Sequence, residues 1–213
     1  MLGAVGTPSL LRADNRPADG DGIGHAPPVA AAWDMSWTSR VTGKYKAVFD
    51  SPEASEGAAV LRAVSWVEQY KELYNAEPAD LTPVLVLRHL GFHFALSDEF
   101  WETYDVGKEL KIRDSLGKKW TKLNPLGPIG AGVSEKSKKY SLVGFQSLGG
   151  IVLGCGWSFD RAASQIAKKE SLGHEAARSR AQAMLLPGVI LQPNGVFAAL
   201  RAQEAGCSYI DAS

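Results

Sequence analysis

From Lys44 onward the chain alternates short apolar runs with longer stretches of helical period. KYKAVFD (44–50) is rich in strand formers and stops at the turn-prone Asp50-Ser51-Pro52. In SEGAAVLRAVSWVEQYKELY (55–74), Val60, Leu61, Val64, Val67 and Leu73 recur at helical spacing, with Ser55 as the expected cap. TPVLVLRHL (82–90) carries four consecutive apolar residues, Val84 to Leu87. Such a run suits a strand buried on both faces. GIVLGC (150–155), PGVILQP (187–193) and CSYIDA (207–212) predict three further strands. Between them, FDRAASQIAKKES (159–171), HEAARSRAQAML (174–185) and NGVFAALRAQEAG (194–206) predict helices. The last has Asn194 as cap and Gly206 as terminator.

Residues 91–148 form a long connection. A helix start signal, Ser97 before Asp98 and Glu99, opens a predicted helix over 97–114. WTKLNPLGPIGAGVS (120–134) reads as a Gly/Pro loop, and KYSLVGFQSLG (139–149) as a short helix feeding the third strand. A loop of that length in an α/β domain is expected to act as a flap or an oligomer contact. Residues 1–13, MLGAVGTPSLLRA, resemble the end of a secretory signal of the twin-arginine kind that lacks its basic front. Residues 14–32 are a linker rich in Gly, Pro, Ala and Asp, so 1–40 is expected as a flexible tail and 41–213 as the domain. Read as an export signal, the tail implies a periplasmic or exported protein; read as a plain tail, it implies a cytoplasmic one.

Alternation of strand and helix predicts a five-stranded parallel sheet covered on both faces, a flavodoxin-like doubly wound sandwich with strand order 2-1-3-4-5. Ligands in such sheets bind beyond the carboxyl ends of the strands, here at the expected switch point between strands 1 and 3. Cys155, Asp50, Ser51 and His89 all fall at that rim, with Asn194 one strand further along.

Charge and composition narrow the function. The chain has 23 Lys+Arg and 23 Asp+Glu, so no basic excess points to nucleic acid. EKSKK (135–139) is expected to be a solvated loop. No apolar run approaches the ~20 residues needed to span a bilayer. GPIGAG (127–132) follows no strand and lacks the GK[ST] ending of a phosphate loop. His89 and His93 are four apart but have no HExxH context. No cofactor and no metal are implied. Trp33, Trp37, Phe100, Trp101, Tyr104 and Trp120 are expected in packing.

Two cysteines are too few for a disulfide framework. Cys207 opens the fifth strand at the opposite rim from Cys155. A strand of ~5 residues spans roughly 17 Å, and a disulfide needs Cα atoms within ~7 Å, so no bond between them is expected. Cys155 ends a strand where a helix begins. A helix start favours the thiolate through its unpaired N–H groups and dipole. Gly156, Trp157 and Ser158 would supply those donors. The competing reading is a cysteine packed as a small hydrophobe.

The runs IVLGCGWSFDRA and LLPGVILQPNGVFAALRAQEAGCSYIDA (185–212) resemble the DsrE/DsrF-like sulfur-relay family. The shared pattern is a cysteine at the end of the third strand, then PGV, P-x-GV, L and Q-x-x-G-x-x-Y-I. KAVFDSPE and VLVLRH match the family's first two strands, so the resemblance covers about 44–212. It implies a flavodoxin-like domain that forms homo- or hetero-oligomers and carries sulfur as a persulfide on Cys155. The chain departs from the family in its longer 91–148 insertion and in the bulky Trp157 beside the cysteine. Two expectations follow: a sulfur-handling domain using Cys155, with small sulfur species or a partner protein as its counterparts, or a non-enzymatic oligomeric scaffold, such as an extracytoplasmic subunit of a larger complex.

Overall fold

The structure, a computed structural model, describes residues 33–127 and 134–213. The signal-like run, the linker and most of GPIGAG lie outside the described residues. Strand β1 (Tyr45–Ser51) is followed by helix α1 (Ala58–Tyr74) and β2 (Leu81–Leu87). The long connection contains α2 (Asp98–Thr103), α3 (Val106–Glu109), α4 (Glu135–Lys139) and α5 (Leu142–Ser147). Then come β3 (Ile151–Cys155), α6 (Gly156–Glu170), α7 (His174–Ala183), β4 (Val189–Gln192), α8 (Gly195–Glu204) and β5 (Ser208–Asp211).

All five strands run parallel, in the order β4-β3-β2-β1-β5. The α/β class and the five-stranded parallel sheet match the sequence reading; the order 2-1-3-4-5 does not. From β1 to β4 each strand is laid beside the previous one in the same direction. Right-handed crossovers then put the three intervening connections on one face. Only the last connection, through α8, travels back across the sheet to set β5 beside β1.

The packing follows this winding. One cluster joins Phe49, Leu85, Leu87 and Val152 to α1, α5, α6 and α7. The alternate sheet positions, Val48, Val84, Val86, Ile151 and Leu153, face Ala198, Ala199 and Ala202 of α8. The central strands are therefore apolar on both faces, as their sequences read. The thinner face is completed by a 3-10 turn, Ser36–Arg40, whose Trp37 is fully buried in it. Residues 36–40, assigned to the tail in the sequence reading, thus pack as part of the compact unit among the described residues.

Several boundaries move for local reasons. Ser55 does not cap α1. It lies in a 3-10 turn with Glu56, both at positive φ, and Gly57 at φ 82° precedes the helix. A β-carbon on Gly57 would meet the Leu126 side chain at 2.9 Å. The helix expected over 97–114 breaks into α2 and α3 at Asp105, which has φ 51°. EKSKK forms the short helix α4 rather than a loop. The 91–148 connection is tied down by polar groups inside it. The buried Asn124 amide donates to the Phe94 and Leu96 carbonyls, and Trp101 Nε1 donates to the His93 carbonyl.

Candidate functional site

In a parallel sheet a crevice opens where neighbouring strands send their outgoing connections to opposite faces. β3 leaves through α6 on the thick face, and β4 leaves through α8 on the thin one. The switch point is therefore between β3 and β4, not between the first and third strands as expected. A cleft of about 290 Å³ lies at this end of the sheet, and Cys155 lines it.

Cys155 is the last residue of β3 and the N-cap of α6, with extended backbone (φ −71°, ψ 118°). α6 starts at Gly156, three residues earlier than the periodicity suggested. The first-turn N–H groups of Gly156, Trp157 and Ser158 thus follow the cysteine directly, where a helix leaves them without intrahelical partners. Gly156 is required by packing: a β-carbon there would come within 2.7 Å of the Gln192 carbonyl oxygen. The two turns that form the crevice touch backbone to backbone. Cys155 is mostly hidden, at 5% exposure, and packs with the larger cluster. Trp157 is 70% exposed and lines the cleft beside it.

The other expected residues divide into two groups. His89, Trp157, Ser158 and Asn194 line the cleft with Cys155. The Ser158 hydroxyl accepts the His89 backbone N–H at 2.9 Å, which ties the end of β2 to α6. The His89 ring is about half exposed, with Nδ1 3.8 Å from a Glu53 carboxylate oxygen, and its backbone holds a positive φ of 49°. Asn194 caps α8, its Oδ1 accepting the Phe197 N–H at 2.9 Å.

Asp50 and Ser51 do not line the cleft. Ser51 is buried and its hydroxyl donates to the Glu53 carbonyl. Asp50 is buried beneath the rim. It accepts Arg88 Nε and Nη2, each at 2.8 Å, and the Tyr209 hydroxyl at 2.8 Å. It reaches the cleft only through Arg88, which lines it. Hydrogen bonding to Asp50 pushes the Arg88 guanidinium further up and keeps it charged.

Sequence reasoning missed Arg161, Gly195 and Val196. Arg161 lines the cleft from the second turn of α6. It is three residues past Ser158, hence on the same helical face. That relation was readable once the helix start is set at Gly156. Gly195 lies flat on the Arg88 stem: a β-carbon there would sit 2.5 Å from Arg88 Cβ.

Elsewhere, His93 is buried in the 3-10 turn after β2, and desolvation lowers its pKa. Cys207 is buried in the thinner core, and burial pushes its thiol up to about 11. Both cysteines are free. Among the described residues no group of three or more His, Cys, Asp or Glu could hold a metal ion. Larger hollows of about 450, 540 and 340 Å³ lie beside α5, beside the start of α1 and beside the amino ends of β1 and β5. None of the three is lined by a thiol or an imidazole, so the chemistry singles out the β3–β4 cleft. The chain matches no family model, no curated protein and no solved structure.

Proposed function

We propose that the β3–β4 cleft is a sulfur-handling site in which Cys155 accepts a sulfur atom and carries it as a persulfide. The observation that supports it best is the cysteine's setting: it lines a cleft at the carboxyl ends of the strands and directly precedes the 15-residue helix α6. A helix start stabilises negative charge, as on a thiolate or a persulfide anion. The resemblance to the DsrE/DsrF-like family points the same way.

The step needs a sulfane-sulfur donor, for which thiosulfate serves as the example. The Cys155 thiolate attacks the outer sulfur, an S–S bond forms at Cys155, and the donor's S–S bond breaks. The departing sulfite takes the bonding electron pair. Atoms and charge balance, and no further oxidant is needed. The carried sulfur then passes to an acceptor thiolate, and Trp157 and Val196, exposed beside the cleft, offer an apolar rim for a partner protein or a second copy.

The test is intact-protein mass spectrometry after exposure to thiosulfate or polysulfide, with Cys155→Ser as control. A gain of one sulfur atom that disappears in the variant supports the reading; no gain from either donor refutes it. The second reading, an oligomeric scaffold with a packed cysteine, draws on the low exposure of Cys155 and its place in the larger core. It predicts that Cys155 resists alkylation until the protein unfolds.

A further inference from the structure

We infer that the cleft is built to hold a tetrahedral oxyanion, with Arg161 and the open edge of Arg88 as its cationic walls. This deepens the proposal above and rests on its choice of the cleft as the working site.

The first support is the composition of the lining. Two arginines and a histidine face the cleft, and no carboxylate does. Over the whole chain acids and bases are equal in number, at 23 each, so the imbalance is local. Two acids stand next to the lining without entering it: Glu53, exposed and 3.8 Å from His89, and Asp50, buried and paired with Arg88.

The second support is how Arg88 is held. Asp50 takes Nε and Nη2, the Tyr209 hydroxyl donates to the same Asp50 oxygen as Nη2 and lies close to the guanidinium, and Gly195 packs against the aliphatic stem. Nη1 donates to no acceptor among the described residues. A guanidinium with one edge anchored presents its remaining donors in a fixed direction, which suits a planar fork meeting an oxyanion.

Arg161 supplies the third. It is exposed and forms no ion pair among the described residues, although its neighbour Asp160 is paired with Arg178. An unpaired arginine at the mouth of an acid-free cleft is a ready counter-charge. The 15-residue α6 and the 10-residue α8 also both begin at this cleft, and their positive ends add to the same field. Such a site would seat the sulfonate end of a thiosulfate-type donor while its outer sulfur approaches Cys155. The phosphate head of a larger molecule has the same recognition chemistry.

The test titrates sulfate, thiosulfate and phenyl phosphate separately into the full chain at low salt, by calorimetry. Saturable binding is expected, weakened about tenfold or more in Arg161→Gln, as for loss of one charge-assisted contact. Arg161 is a surface residue, so that variant is expected to fold. Sulfate against phenyl phosphate separates a free anion from the head group of a larger molecule; either one bound through Arg161 upholds the inference. No saturable binding of any of the three, or binding unchanged in Arg161→Gln, overturns it. The two proposals fail separately. Oxyanion binding retained in Cys155→Ser without sulfur loading of the wild type sinks the persulfide carrier alone. Sulfur loading from polysulfide without oxyanion binding sinks the anion site alone.

Discussion

Cys155 and Cys207 are almost equally hidden, at 5% and 6% exposure, yet they occupy opposite settings. Cys155 closes a strand at the carboxyl rim, directly precedes α6 and borders a cleft lined with positive side chains. Cys207 precedes a strand at the amino rim, under α8, among Val48, Val84 and Ala202. Burial raises its pKa, so it stays a thiol. Exposure alone would not separate the two. What separates them is the end of the sheet each occupies, because in a parallel sheet the helix starts that favour anions gather at the carboxyl rim.

The largest expected effect comes from exchanging one cysteine at a time. Cys155→Ser should reduce sulfur loading to background, whereas Cys207→Ser should leave it at the wild-type level, read by intact mass. Loading lost equally in both would erase the contrast. Next comes the network beneath the carboxyl rim. Asp50→Asn leaves Arg88 without its bidentate partner and should destabilise the fold by about 3 kcal/mol in chemical denaturation. A smaller change is expected at the second helix start: Asn194→Ala removes the α8 cap at a cost of about 1 kcal/mol.

The smallest effect is at Cys207 and depends on pH. Its pKa is raised from 9.0 to about 11 by burial, so the folded state keeps the proton after the unfolded chain has lost it. The stabilisation is fully present below about 9.0 and is lost as pH rises towards about 11. Denaturation midpoints should fall more steeply over that window in the wild type than in Cys207→Ala. Equal slopes would place the thiol in a wetter setting than its packing indicates.

Much of this was legible along the chain. Buried parallel strands announce themselves as unbroken apolar runs, so Val84–Leu87 and Ile151–Leu153 were readable as strands, and Cys155 as a strand end. Strand order was not, because each crossover's direction depends on how helices pack on the sheet. The edge strand β5 shows the difficulty: Ser208, Tyr209 and Asp211 are exposed, so its sequence gives no sign that it pairs with β1. Half of the cleft was found from strand ends alone. Arg161 was missed because the helix start was read only for its backbone donors, and the side chain three residues past Ser158 was not followed along the same helical face. Asp50 was placed at the right rim but reaches the cleft only through Arg88.

The most direct test of the central claim is a time course of native-state alkylation with a small thiol reagent, followed by peptide mapping. Cys155 should be modified while the protein stays folded and while Cys207 remains untouched, and saturating sulfate should slow the reaction at Cys155. Modification of both cysteines only on unfolding, at the same rate, would contradict the account and leave Cys155 a packed residue of the core.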